Sequence, residues 1–211
     1  MDETKKTKPF LLAIAGGTAS GKGLFAKMLS EKFPGESAIV CMDMYYKDQS
    51  HLPLAERFAA NMDCPEALDL ELFRRHLGQL RAGTAVEVPV YEFSDHTRAS
   101  QKFPPTGGQK LIIIEGLLTL ADPSLLPYYD LKIFLEADAD LRLARRLLRD
   151  LKDKRYETPE ESINQYLTSA RPNHKIYVEP QKAVADLVID WNEINLPALE
   201  NIVLAIRQKL V

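Results

Sequence analysis

The sequence predicts an α/β fold of three layers, with a central parallel sheet and helices on both of its faces. Three observations carry this. The apolar runs at 10–15 (FLLAIA), 111–114 (LIII) and 131–135 (LKIFL) are short and lack strict alternation, which suits strands buried on both faces. Segments of helical periodicity separate them, and strands alternating with helices give a parallel sheet covered on both sides. A glycine-rich turn sits at the junction of the first strand and the first helix. The crossovers are expected to be right-handed.

Taken in order, the first strand runs to Gly16-Gly17 and is followed by a helix over 22–33. There Phe25, Met28, Leu29 and Phe33 share a face, and Pro34-Gly35 ends it. Residues 37–42 (SAIVCM) read as a second strand, and 43–52 as a long loop. A short helix is expected over 54–62 and a clearer one over 69–81, closed by Gly83. Val86, Val88 and Val90 alternate with polar residues and proline; Pro89 confines that strand to an edge. Pro104-Pro105-Thr106-Gly107-Gly108 is a turn. A helix is expected over 138–154. Another should start at the capping box Thr158-Pro159-Glu160-Glu161 and run to about Ala170. A last strand, 187–189, precedes a closing helix over 197–210.

The length of 211 residues suits one domain, assigned here to 10–211, with 1–9 as a polar, frayed tail. A net charge of -3 offers no basic excess for nucleic acid. The start has no apolar leader core, and no apolar run is long enough to span a bilayer, so no membrane association is expected. Cys41 and Cys64 have no metal-type spacing and read as free thiols of a cytoplasmic protein.

The chemistry begins at Gly16-Gly17-Thr18-Ala19-Ser20-Gly21-Lys22, a GxxxxGK pattern placed after a strand and before a helix. Glycines let the backbone wrap a phosphate, N–H groups converge on it, and the helix N-terminus adds partial positive charge. Lys22 neutralises the β- and γ-phosphates of a nucleoside triphosphate. The next residue in such loops is Ser or Thr, whose hydroxyl binds Mg2+; here it is Gly23, with no hydroxyl to give. Two acids stand at strand carboxyl ends, where such sheets bind ligands: Asp43 and Glu115. Asp43 could take the proton of an attacking hydroxyl. Glu115, together with Asp43, is the candidate Mg2+ set. Arg142, Arg145, Arg146 and Arg149 fall at i, i+3, i+4 and i+7, on one side of a helix, where their repulsion would be relieved by a polyphosphate.

Several longer stretches resemble bacterial uridine kinases (uridine–cytidine kinases) in order along the chain. They are 43–53 (DMYYKDQSHLP), 61–69 (NMDCPEALD), 88–98 (VPVYEFSDHTR), 114–118 (IEGLL), 137–142 (ADADLR), Arg145-Arg146, Arg149-Asp150, Gln165-Tyr166-Leu167 and Val178-Glu179-Pro180. The resemblance implies a P-loop kinase with a mobile lid at about 145–160. It would use ATP or GTP with Mg2+ and act on a small-molecule nucleoside as a homo-oligomer, a dimer or tetramer. It implies that Asp43 is the base and that Asp63 grips the ribose hydroxyls, since one carboxylate can accept from both. It implies that Tyr91 and His96 read the pyrimidine edge and that Phe93 walls the base. Arg146 would contact the sugar side, Arg149 would clamp phosphate, and Gln165 would add a nucleoside contact. Arg155 stands where relatives carry the first lid arginine.

The chain departs from the family pattern at Gly23, at Cys64 in place of histidine, at a lid one residue longer (Asp153-Lys154-Arg155-Tyr156-Glu157), and at 191–195 (WNEIN), where relatives have a glycine-rich turn. The expected activity is phosphoryl transfer to the 5′-hydroxyl of uridine or cytidine. A kinase for another small alcohol and a non-catalytic nucleotide-binding relative are the alternatives.

Overall fold

Strand β1 (Phe10–Gly16) lies at the centre of a five-stranded sheet with β2 (Ser37–Cys41), β5 (Leu111–Glu115), β6 (Leu131–Glu136) and β7 (Leu187–Asp190), in the order β2-β5-β1-β6-β7. Every pairing in it is parallel. These are the strands expected from the apolar runs. The computed structural model describes residues 8–210, apart from the side chain of Lys102; the expected tail falls at 1–7 outside the described residues.

Alternation along the central strands divides the core in two. Leu11, Ala13 and Ala15 of β1, Ile112 and Ile114 of β5, and Phe134 of β6 pack on one face, against α3 (Leu70–Arg81) through Phe73, Leu77 and Leu80. Leu12, Ile14, Leu111, Ile113, Ile133 and Leu135 pack on the other. Their partners are Phe25 and Leu29 of α1 (Lys22–Ser30) and Leu199, Ile202 and Ile206 of α7 (Leu196–Lys209). The three layers follow from this two-sided burial. Among the described residues no helix is long and apolar enough to cross a membrane.

Two regions differ from the sequence expectation. The valine alternation at 86–90 does not join the main sheet. Val86 and Val88 are buried beneath it, and β3 (Pro89–Glu92) pairs antiparallel with β4 (Thr97–Lys102) in a separate hairpin. β4 reads Thr-Arg-Ala-Ser-Gln-Lys and has no apolar alternation, so only backbone pairing marks it as a strand.

The second difference follows α4 (Ala139–Lys152). The capping box at Thr158 forms as expected and starts α5 (Pro159–Gln165). The chain then stays helical beyond Ala170. It passes through a wide π turn (Tyr166–Ala170), α6 (Arg171–Asn173), a second wide turn (His174–Val178) and a 3-10 segment (Glu179–Val184). Pro172 and Pro180 argue for a stop, yet each falls in the first two positions of a new segment, where a missing N–H costs least.

Candidate functional site

The phosphate loop is shaped by close contacts around its glycines. A Cβ on Gly16 would lie 2.5 Å from the carbonyl of Leu135, and one on Gly17 2.6 Å from Nη1 of Arg142. Gly21 caps α1 with φ +97, and a Cβ there would lie 2.7 Å from Cδ1 of Trp191. Ala19 also has positive φ, at 54°. At the loop's exit, Lys22 donates from Nζ to the carbonyls of Gly16 (3.0 Å) and Gly17 (2.9 Å). Burial lowers the pKa of this ammonium, and the charges of Glu115 and Asp43 oppose the shift.

Parallel pairing brings the two acids to this lysine. Glu115 ends β5 in register with Cys41 at the end of β2, and Asp43 follows in a 3-10 turn (Met42–Tyr45). Burial raises the carboxyl of Asp43 above its usual range, against the pull of Lys22 and a bond from the Leu117 N–H. Burial and the Asp43 charge raise Glu115 in the same direction. The Cys41 thiol is pushed well up by burial and by both acids, so it is a poor nucleophile.

Among the described residues no group of three or more His, Cys, Asp or Glu could by itself hold a metal ion. Two half-buried carboxylates, Asp43 and Glu115, fit Mg2+, which uses one or two such ligands and completes its shell with water and phosphate oxygens. Gly23 is exposed, and nothing lies within 4 Å of where its Cβ would be, so the position adds no donor and has room for one.

From this end a cleft opens toward the β3–β4 hairpin. Of the residues singled out in the sequence, Thr18, Ala19, Lys22, Asp43, Asp63, Phe93, His96, Arg146, Arg149, Arg155 and Gln165 line it. Asp63 accepts at Oδ2 from Gln165 Nε2 (3.0 Å) and Ser169 Oγ (2.8 Å). Arg146 donates to Thr18 Oγ1 (3.2 Å) and to Gln165 Oε1, so it ties the phosphate loop to the acceptor side. His96 has φ +56 and a buried Nδ1 without a partner; its ring meets Phe58 edge-on at 4.9 Å, and burial lowers its pKa.

Other residues sit differently. Tyr91 is 3 % exposed and lies behind the cleft wall, its ring 5.3 Å from Tyr46 and 5.2 Å from Phe93. Tyr46 lines the cleft in front of it. The Arg155 guanidinium stacks on the face of Phe93, 4.8 Å from the ring centre, instead of reaching the phosphate loop. The four arginines of α4 do not act as one patch. Arg145 turns away to the carbonyls of Trp191 (3.2 Å) and Asn192 (2.5 Å), and Arg142 lies buried against Gly17. Arg146 and Arg149 alone of the four line the cleft.

Asp150 was given no role by sequence beyond its place in the Arg149-Asp150 match. It is fully buried and accepts from Arg149 Nε (3.0 Å), Arg149 Nη2 (2.7 Å) and Ser162 Oγ (2.7 Å), with Arg146 Nε at 3.3 Å. It sets the direction of both cleft arginines and ties α4 to α5. Its spacing signal was an acid in an arginine-rich helix, four residues after Arg146. Ser169, in the segment beyond α5, had no signal in the linear pattern.

A family model described as Phosphoribulokinase / Uridine kinase family matches residues 11–196. A uridine kinase of Bacillus anthracis (strain CDC 684 / NRRL 3495) is 43% identical over 197 residues, 93% of this chain and 92% of that protein. A uridine kinase of Bacillus cereus (strain AH187) is 45% identical over 183 residues, 86% of this chain and 85% of that protein. Among solved structures, a D-glycerate 3-kinase from Cryptococcus neoformans has a similar fold. Its TM-score is 0.64 at 15% identity, over 90% of this chain and 89% of that one.

Proposed function

Because the chain belongs to the phosphoribulokinase/uridine kinase family, we propose that it transfers the γ-phosphate of ATP or GTP to the 5′-hydroxyl of uridine or cytidine. The observation that carries this reading is one continuous cleft. It joins a lysine-bearing phosphate loop to Asp63, whose second oxygen is pinned by Gln165 and Ser169, with Asp43 lining it at the Lys22 end.

In this reading the triphosphate lies on 16–22, and Lys22 leaves the carbonyls of Gly16 and Gly17 for the β- and γ-oxygens. Asp63 accepts from the ribose hydroxyls. Phe93, Tyr46 and His96 enclose the base. Tyr91 backs this wall. Asp43 takes the proton of the 5′-hydroxyl, while Lys22 and Arg149 hold the charge on the moving phosphoryl group. Glu115 and Asp43 would hold Mg2+, which when bound neutralises phosphate charge. Arg155 and the base compete for the face of Phe93, so a bound nucleoside directs Arg155 toward the phosphates. Closure of the 145–160 lid excludes water.

The free edge of β2, with Ile39 38% and Phe103 45% exposed beside it, supports assembly into a homo-oligomer, which light scattering would read directly. A cytoplasmic nucleotide pool is the expected setting.

The test is Mg2+- and ATP-dependent formation of UMP and CMP by the purified protein, run beside sugar phosphates and pantothenate as acceptors. UMP or CMP is the expected product. Phosphorylation of another acceptor with neither nucleoside consumed would replace this reading.

Gly23 provides a second test. A Cβ at 23 has nothing within 4 Å, and a Thr there returns a hydroxyl to the first turn of α1. At the net value of one hydrogen bond, about 1 kcal/mol, Gly23→Thr is expected to lower the Mg2+ requirement roughly fivefold. An unchanged Mg2+ titration would show that water supplies that position equally well.

A further inference from the structure

The acceptor wall is one face of the helical run that begins with α5. Gln165, Ser169 and Asn173 recur every four residues along it, and all three reach the 61–63 segment. A regular α-helix overshoots a full turn by about 40° at each four-residue step, so a stripe of this spacing would drift off the face. The wide turn at Tyr166–Ala170 winds less per residue and keeps the stripe in line.

Asn61 and Asn173 form a reciprocal amide pair, Asn61 Nδ2 to Asn173 Oδ1 at 3.2 Å and Asn173 Nδ2 to Asn61 Oδ1 at 3.0 Å. Asn61 Oδ1 also accepts from the Asp63 N–H at 3.0 Å, which fixes the amide's orientation. The hydroxyl of Ser169 lies 2.8 Å from Asp63 Oδ2 and 3.2 Å from Asn61 Oδ1. Its single proton goes to the nearer, charged acceptor. Among the described residues the side-chain bonds to the Asp63 carboxylate all fall on Oδ2, which leaves Oδ1 for a ligand.

We propose that Ser169, backed by the Asn61–Asn173 pair, is a positioning residue that holds Asp63 Oδ1 toward the acceptor and so sets the preference for acceptors with a vicinal diol. The inference rests on the nucleoside-kinase reading above and adds the residue that gives it ribose selectivity. Without the serine the carboxylate can rotate, and its two-hydroxyl grip loosens. An acceptor with only one of those hydroxyls has less to lose.

The experiment is steady-state kinetics of the full-length protein on uridine and 2′-deoxyuridine. Ser169→Ala is expected to raise KM for uridine about tenfold with the change in KM rather than kcat. It should shift KM for 2′-deoxyuridine far less and leave KM for ATP alone. Ser169→Thr keeps the hydroxyl and should restore the uridine KM. Asn173→Ala should move the uridine KM in the same direction by a smaller factor, and it serves if Ser169→Ala folds poorly. Equal losses on both acceptors, no loss at all, or failure of Ser169→Thr to rescue would overturn the proposal while the kinase reading stands. A wild-type protein that phosphorylates neither uridine nor cytidine would overturn both.

Discussion

Replacing Asp43 by asparagine will lower kcat on uridine by about 10²- to 10⁴-fold, the range for losing a general base, and leave nucleotide binding measured without Mg2+ in place. The change keeps shape and removes the proton acceptor. Asp43 sits half-buried beside Lys22 and the Leu117 N–H, so its position is held by contacts that an amide oxygen can also satisfy. The wild-type pH profile supplies an independent mark. Burial raises the Asp43 carboxyl above its ordinary value of 3.8. As pH falls, the base form is therefore lost earlier than for a free aspartate. The acid limb of kcat/KM, which reports the free enzyme, should inflect above 3.8, and the residual activity of the variant should lack the Asp43 contribution to that limb. A loss under tenfold with the limb intact would remove Asp43 from the role of base.

Gly21→Ala is the second large effect, expected in binding. Gly21 has φ +97, where an L side chain costs about 1–3 kcal/mol of strain. Its Cβ would also meet the buried indole of Trp191 at 2.7 and 2.8 Å. The loop must move, and the N–H groups that converge on phosphate move with it. Strain alone predicts an ATP affinity about 5- to 150-fold weaker. Trp191 is the only tryptophan in the chain, so its fluorescence can follow nucleotide binding in wild type and variant. Gly35→Ala is the control. It has φ +73 but nothing within 4 Å, far from the cleft, and should lower Tm without changing ATP affinity. Equal ATP affinity for wild type and Gly21→Ala would show that the loop is not the phosphate cradle.

How much was legible depended on how local the signal was. The strands of the main sheet were read from apolar runs, the capping box from Thr158 and Glu161, and the phosphate loop from glycines between a strand and a helix. Each is a property of a few neighbouring residues. The β3–β4 hairpin escaped because β4 is polar and is a strand only by its partner. The helical run past Ala170 escaped because Pro172 and Pro180 signal a stop that wide turns circumvent.

The three-layer architecture, the phosphate loop and the placing of Asp43 and Glu115 at the ends of parallel strands are all written in the linear chain. These follow from burial periodicity and backbone freedom, which act over short spans. What the cleft side chains do with one another emerges from packing. Asp150 aligns two arginines, Arg155 rests on Phe93, Tyr91 stands behind Tyr46, and Ser169 pins Asp63 across 106 residues of chain. Such contacts are set by how the helices and the hairpin pack around the sheet, and nothing in the spacing of residues along the chain encodes that distance.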